Sequence, residues 1–376
     1  MLGAAARASQ RVVIRGGGTK SDWTSLDGAA QEPDLLLSTA RLNRVVAHRY
    51  GDLTATVEAG ARLADVNRVL AEHGQWIPLD PPFADRATIG GVVATNDSGP
   101  RRHRYGAPRD LIIGVELARA DGVIAKAGGI VVKNVAGYDL SRLATGSFGS
   151  LGLIATATFK LYPLTAASST VIVDAPSAKV AASVVTAVAS SQLTPTAVEV
   201  QGPPLRLLIR FESIEASVAR QSDTAKKLAV DCGGCASAVA GDDERREWDA
   251  HDRHAWSSTA AVAKVTFLPA DLAGVLDAIE HAASGSRVAL AGRAAVGVLL
   301  VGVEGDVDSQ AHVLETLRKR CPPGRGSVVL RRGSADLKKR FDVWGPIGNG
   351  LRVMQAVKRS LDPQGILNPG RGPGGL

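Results

Sequence analysis

The segment Arg15-Gly16-Gly17-Gly18-Thr19-Lys20-Ser21 follows a short apolar run, Val12 to Ile14, and its chemistry lies in the backbone. Consecutive glycines let several N–H groups turn toward one point, and converging N–H dipoles form a nest for an anion, most often a phosphate. Two nucleotide motifs fail here. A P-loop needs lysine directly after its last glycine, whereas Thr19 intervenes; a dinucleotide fingerprint needs Gly-x-Gly-x-x-Gly opening a helix, which Asp22-Trp23-Thr24 does not do. Taken alone, the loop also reads as a tight glycine turn without a ligand.

Two further segments share its texture. Ala87 to Gly99 combines Gly90-Gly91 with Thr88, Thr95, Asn96 and Ser98, small and hydrogen-bonding residues that let a backbone approach a flat polar ligand. Val131 to Leu143, continued by Gly146 to Ile154, repeats the pattern just before a strand. Three such segments point to one extended ligand.

Charged and sulfur-bearing side chains offer less. Arg101, Arg102, His103, Arg104 and Arg109 cluster after the second glycine segment, as a solvated loop, phosphate contacts or a substrate-binding patch. His251 and His254 have helical i, i+3 spacing, but no third metal ligand accompanies them, and a surface helix anchored by Trp248 and Trp256 is the simpler expectation. Cys232-Gly-Gly-Cys235 lacks the strand-to-helix setting of a redox dithiol, and three cysteines in all cannot hold an iron–sulfur cluster; a reducing compartment is expected. Arg331 and Arg332 end a strand and could meet a carboxylate.

The elements that must position these residues fall into two textures. As far as Pro163 the chain reads as short strands and glycine turns with one clear helix, Ala61 to His73, whose Leu63, Val66, Val69 and Leu70 share a face. Asp121-Gly122 between apolar runs predicts a type I′ hairpin. From Thr165 the order becomes strand (169–174), helix (177–191), strands (196–201, 205–212) and helix (214–229). After a charged stretch come strand (260–268), helix (270–284), strands (286–292, 295–303), helix (307–320) and strand (327–332). This is a β-α-β-β-α order twice over, which predicts ferredoxin-like units with helices on one face of a sheet. A helix at 350–360 precedes a Pro/Gly-rich tail that is either a surface arm or folds back.

The 376 residues are 45% hydrophobic and carry a net charge of +7, enough apolar content for a packed core without disulfides or a structural metal. Basic residues are dispersed and aromatics are only 4%, so no stacking groove for nucleic acid is present. No apolar run approaches the ~20 residues of a membrane span, and the N-terminus lacks the apolar region of a secretory signal.

With these motifs in place the chain resembles the vanillyl-alcohol-oxidase-like, PCMH-type FAD oxidoreductases, and among them the FAD-binding subunits of bacterial glycolate oxidases. The resemblance runs through Arg15 to Lys20, Asp80-Pro-Pro82, Gly99-Pro-Arg-Arg102, Val132 to Arg142, Leu361-Asp-Pro363 and Asn368-Pro-Gly-Arg371. It implies an α+β fold: a PCMH-type FAD-binding domain of two α+β subdomains (1–164), a ferredoxin-like α+β cap (165–335) and a C-terminal segment (336–376) returning to the FAD domain. It further implies pyrophosphate on Gly16, Gly17, Gly18, Thr19 and Lys20. Pro81, Thr88, Ile89, Gly90, Gly91, Asn96, Ser98 and Gly99 would lie along the phosphates and flavin, Gly152 and Ile154 beside the adenine, and Asn368 near the flavin. Relatives that attach FAD covalently use His or Cys; none precedes His48 or Cys232, so FAD is expected to be non-covalent.

Oxidising a 2-hydroxy acid needs a base, a cation for the carboxylate and a Cα–H aimed at the flavin. No such set is legible, and the His-bearing motif of self-sufficient relatives is missing from 168–340. The resemblance therefore implies a cytoplasmic FAD-binding subunit of a glycolate oxidase-like complex, docked at a membrane only through partners. Those partners would be a second flavoprotein and an iron–sulfur subunit. A self-sufficient FAD-linked dehydrogenase of another hydroxy acid or alcohol and a flavin-free assembly subunit are the alternatives.

Overall fold

The computed structural model describes residues 1–23, 32–130, 139–283 and 285–376. Val131 to Tyr138, which carries most of the third glycine segment, lies outside them. The chain divides into two compact units, one made of 1–99, 105–164 and 347–376, the other of 100–104 and 165–346. Residues 336–346, expected with the C-terminal segment, lie in the second unit, where the Ala335–Arg340 helix and the following turn bury Leu337 and Phe341 in its core.

In the first unit, β1 (Val12–Arg15) and β2 (Leu35–Ser38) pair in parallel. β3 (Val45–Arg49), β4 (Thr54–Glu58), β6 (Ile112–Ala118), β7 (Ile124–Gly128) and β8 (Leu153–Lys160) form an antiparallel sheet in the order β3-β4-β8-β6-β7, while the short β5 (Gln75–Trp76) and β9 (Tyr162–Pro163) pair with each other. Val57, Leu70, Ile89, Val93 and Phe159 fill its core, while Leu2, Val12, Leu153, Ile366 and Leu367 form a second, smaller one. Two cores are what two α+β subdomains require.

The helix over Leu63–Ala71 starts with Asp65 in its first turn and buries Leu63, Val66 and Leu70, the i, i+3, i+7 stripe of an amphipathic helix. Val69 is 41% exposed and not on the buried face as its spacing suggested. The β6–β7 connection also differs from expectation. Arg119 N–H donates to Val123 O and Gly122 N–H to Arg119 O, so the central residues of the turn are Ala120 and Asp121, neither with positive φ; Gly122 (φ +87°) follows as the fourth residue, and the turn is not type I′.

The tail folds back. Val12 and Leu367 form a parallel bridge, and Asn368 N–H donates to Val12 O at 2.8 Å. The Gly350–Leu361 helix, followed by Asp362, secures this return through a buried ion pair. Lys358 Nζ donates to Asp362 Oδ2 (2.6 Å), Ser150 O (2.7 Å) and Leu367 O (2.9 Å), and Asp362 accepts from Ile366 N–H and Leu367 N–H.

The second unit is built on β10 (Ala167–Asp174), β11 (Ala197–Gly202), β12 (Arg206–Ser213), β13 (Cys235–Val239), β14 (Ala261–Thr266), β15 (Arg287–Arg293), β16 (Val298–Glu304) and β17 (Ser327–Arg332). Its sheet is antiparallel, in the order β13-β10-β12-β11-β15-β16-β14-β17. Each half is β-α-β-β-α-β, one strand longer than the sequence pattern suggested for the first half, and the halves join edge to edge through β11 and β15. Val198, Val200, Leu207, Ile209, Leu290 and Val301 pack against the helices on one face. The other face is not bare: the Gly241–Arg253 helix covers part of it, with Trp248 packed on Ala197 and Leu208.

That second face carries buried charge. Glu212 on β12 accepts from Arg101 Nη2 at 2.8 Å and lies 3.6 Å from Arg210 Nε. Burial pushes the Glu212 carboxyl up, yet Arg101 and Arg210 outweigh it and hold it below the ordinary glutamate range. Its ionised pair therefore contributes stability that is complete above the unfolded-chain value of about 4.3 and lost as pH falls through the lower folded value. Arg101→Met leaves Glu212 buried with one cation fewer and is expected to cost about 3 kcal/mol at pH 7. In urea titrations the gap to wild type should narrow as pH is lowered toward 3; a gap independent of pH would contradict the pairing.

Candidate active site

Within the first unit, a cavity of about 450 Å³ opens between β1, the second glycine segment and the C-terminal return. Gly16, Gly17, Gly18, Thr19 and Lys20 line one wall, Thr88, Gly90 and Gly91 another, Gly152 and Ile154 a third, and Asn368 closes the rim. The structure thus brings together eleven of the sixteen residues marked from sequence. Close approach explains the glycines. A Cβ on Gly16 would run into Thr88 Oγ1, one on Gly17 into Arg86 O, and one on Gly90 would lie 2.8 Å from Ala59 Cβ. Gly17 N–H is drawn to Thr88 Oγ1 at 3.3 Å, and Gly18 turns the chain with φ +70°.

Five residues do not line the cavity, each for a local reason. Ile89 begins the Ile89–Thr95 helix and points into the core, 1% exposed. Asn96 ends that helix in the left-handed region, and its Oδ1 accepts from Arg109 N–H. Gly99 is pressed against Asp80, while Pro81 and Ser98 are buried beside this turn. The helix itself was not foreseen, because Gly90-Gly91 near its start reads as loop.

Lys20 is 9% exposed, stands 3.5 Å from Asp97 Oδ2 and lies over the Trp23 ring, so its charge is already partly met. Asn368 does more structural work than expected. Its Oδ1 accepts from Ile14 N–H (2.8 Å) and its Nδ2 donates to Phe148 O (2.7 Å), which pins the tail to β1 and to the Phe148-Gly149 turn.

Arg371 lines the same cavity and was missed as a site residue, although it closes the Asn368-Pro-Gly-Arg371 string. Burial pushes its guanidinium below the usual arginine range against the pull of Asp22, and its buried Nε has no hydrogen-bond partner. A half-buried guanidinium with an unpartnered Nε beside a glycine nest offers an anion a charged donor. Threonine hydroxyls, backbone N–H groups and this cation suit a pyrophosphate, while Ile14, Ile154 and Ala59 offer apolar surface to a ring system. The residues present fit FAD.

The other sequence candidates lie elsewhere. Arg109 is exposed and donates to Arg142 O. Cys232 ends the Glu215–Asp231 helix and Cys235 opens β13, both as free thiols. The Gly241–Arg253 helix is the expected surface helix anchored by Trp248, and His251 lies on its inner face, 3% exposed and bonded to Glu199 and Gln201. Among the described residues no group of three or more His, Cys, Asp or Glu could hold a metal ion, and no helix is long and apolar enough to cross a membrane.

Comparison with known proteins agrees with this geometry. Residues 1–128 match the FAD binding domain family, and residues 347–371 match the C-terminal domain of FAD linked oxidases. The chain is 27% identical over 401 residues to glycolate oxidase subunit GlcD of Bacillus subtilis, covering 96% of this chain and 83% of that protein. It is 41% identical over 125 residues to subunit GlcE of Escherichia coli, covering 33% of this chain and 36% of that one. A probable mitochondrial D-lactate dehydrogenase of Danio rerio is 27% identical over 93% of this chain and 77% of its own length. In fold the chain is similar to alkyldihydroxyacetonephosphate synthase (TM-score 0.74, 16% identity, 98% of this chain and 73% of that one). It is also similar to a carbohydrate oxidase from Microdochium nivale (TM-score 0.70, 14% identity, 97% and 87%). The glycine cradle, the Arg371 guanidinium on its wall and the tail that returns to β1 all lie within the two segments that match FAD-binding and FAD-linked-oxidase domains or beside them, and they make this chain an FAD-dependent oxidoreductase.

Proposed function

We propose that the chain is the FAD-binding subunit of a glycolate oxidase-like complex that oxidises glycolate, a small 2-hydroxy acid, to glyoxylate. The observation that carries this reading is the convergence of Gly16–Lys20, Thr88–Gly91, Gly152, Ile154 and Arg371 on one cavity. In this reading Gly16, Gly17, Gly18 and Thr19 cradle the pyrophosphate through N–H groups and Arg371 neutralises it. Thr88, Gly90 and Gly91 bring backbone against the ring system. Bound FAD supplies a two-electron acceptor for the substrate's Cα–H. No covalent attachment is proposed, since among the described residues neither cysteine nor histidine lines the cavity.

The names of the GlcD and GlcE relatives, both glycolate oxidase subunits, support a place in a multi-subunit assembly. A second flavoprotein and an iron–sulfur protein are the proposed partners, reached by docking rather than by membrane insertion. A self-sufficient dehydrogenase is the second reading, favoured by the D-lactate and D-2-hydroxyglutarate dehydrogenases among the relatives.

The purified chain should be yellow, release FAD on denaturation, and turn over glycolate and D-lactate with an artificial dye only weakly until partners are added. A colourless protein that takes up no added FAD would sink the flavoprotein reading. Robust dye reduction by the chain alone would replace the subunit with the self-sufficient enzyme.

A further inference from the structure

In the second unit the sheet splits at one end. β15 pairs with β16 along its whole length, Arg287 to Arg293, but with β11 only from Leu290 to Arg293. The residues that would extend β11 are Pro203 and Pro204, which have no N–H for a ladder. The chain turns there into β12 and leaves β15 with an open edge over 287–289. A cavity of about 970 Å³ lies in this split, with Pro203 and Pro204 on one side and Arg287, Val288 and Ala289 on the other. No residue that lines the cavity of the first unit lines this one.

Two kinds of surface meet in it. The floor is apolar: Leu276 and Ile279 of the Leu272–Ala282 helix and Leu290 of β15 are buried and line it. The mouth is mostly acidic. Asp277 and Glu280 stand about one turn apart on the same helix, both exposed, and neither forms an ion pair among the described residues. Glu304 adds a third carboxylate, and the lining's one guanidinium, Arg287, lies 3.6 Å from it with its side chain 91% exposed. On a chain of net charge +7 this mouth is locally negative, and two uncompensated carboxylates at the edge of an apolar hollow attract a cation. Polar atoms in the wall are also available to a ligand. Ser286 Oγ is buried without a hydrogen-bond partner, and His254 Nε2 donates to Gly202 O at 2.9 Å, which in the neutral ring leaves Nδ1 as an acceptor. A protein-docking face would carry its apolar groups at the rim; here they are recessed behind charge, the layout of a small-molecule pocket.

We propose that this cavity binds a small amphipathic organic cation, its alkyl or aromatic body against Leu276, Ile279 and Leu290 and its ammonium group at Asp277 and Glu280. The apolar floor supplies affinity and the two carboxylates select the charge. The site stands apart from the flavin cavity and does not depend on the hydroxy-acid reading.

The test is calorimetric titration of the full chain, as purified, with probes that share one body and differ in charge: phenylbutylamine, phenylbutanol and phenylbutyrate. At low ionic strength the amine should bind at least ~10-fold more tightly than the alcohol, and the alcohol more tightly than the carboxylate. Because the carboxylates sit at an exposed mouth, salt at ~0.5 M should shrink the first gap to about threefold. Asp277→Asn with Glu280→Gln should shrink it equally at low salt, and Asp277→Lys with Glu280→Lys should reverse the order so that the carboxylate binds best. Both positions are exposed and unpaired, so the melting temperature of each double variant should stay within a few degrees of wild type. An amine that fails to saturate the wild-type chain below ~10 mM, or that binds no better than the alcohol, overturns the proposal. So does an amine preference that survives in either double variant, since the cation would then lie elsewhere.

Discussion

Gly16→Val is expected to yield a folded protein that no longer retains FAD. A Cβ at this position points at Thr88 Oγ1, so the loop must back away from the second glycine segment, and the N–H groups that converge on the cavity lose their common focus. Each hydrogen bond to a charged phosphate oxygen contributes roughly 1.5–3 kcal/mol, so losing two weakens FAD by at least ~100-fold. Gly16 belongs to neither apolar core, so the unfolding midpoint of the flavin-free form should stay within a few degrees of flavin-stripped wild type. The measurement is bound FAD per chain after gel filtration, read near ~450 nm, where oxidised flavin absorbs and side chains do not. Full occupancy in the variant would mean that this loop does not hold the pyrophosphate.

The second large effect concerns stability. Asp362→Ala strands the Lys358 ammonium in a buried site and leaves Ile366 N–H and Leu367 N–H without their acceptor. Burial already pushes the Lys358 amine below the usual lysine range, and Asp362 is the charge that opposes this. Removing one partner of a buried pair costs about 3–5 kcal/mol, corresponding to a fall in melting temperature of about 10 °C for a unit of this size. Lys358→Met with Asp362→Asn, which removes both charges, should recover most of the loss. A single variant within 2 °C of wild type would show that the pair does not tie down the return.

How much of this was legible in the sequence depends on whether the signal is local. Gly16-Gly17-Gly18 announces a backbone nest because glycine chemistry is confined to a few consecutive residues, and the cavity does form there. The alternation of Ala/Val-rich strands with amphipathic helices likewise marks the ferredoxin-like units. β13 escaped notice because Cys235-Ala-Ser-Ala-Val239 has small residues and no clear period of two, and its strand character comes from pairing with β10. The Ile89–Thr95 helix is hidden by Gly90 and Gly91, the first of which packing against Ala59 requires. His251 and Glu199 are distant in the chain and meet only because the Gly241–Arg253 helix packs on the sheet, so no spacing rule could join them. Arg371 could have been found: an arginine just after Asn368-Pro-Gly, in a segment expected to return to a phosphate loop, is a natural counter-charge.

The bridge between Val12 and Leu367, with Asn368 reaching Ile14 and Phe148, has a consequence for biosynthesis. Because the first strand is completed by residues near position 368, the ribosome must release nearly the whole polypeptide before the nucleotide cradle can close. The second unit has all its strands by Arg332 and can fold while translation continues. A premature stop or a proteolytic cut after Leu361 would spare that later-numbered unit and abolish cofactor retention by the earlier-numbered one.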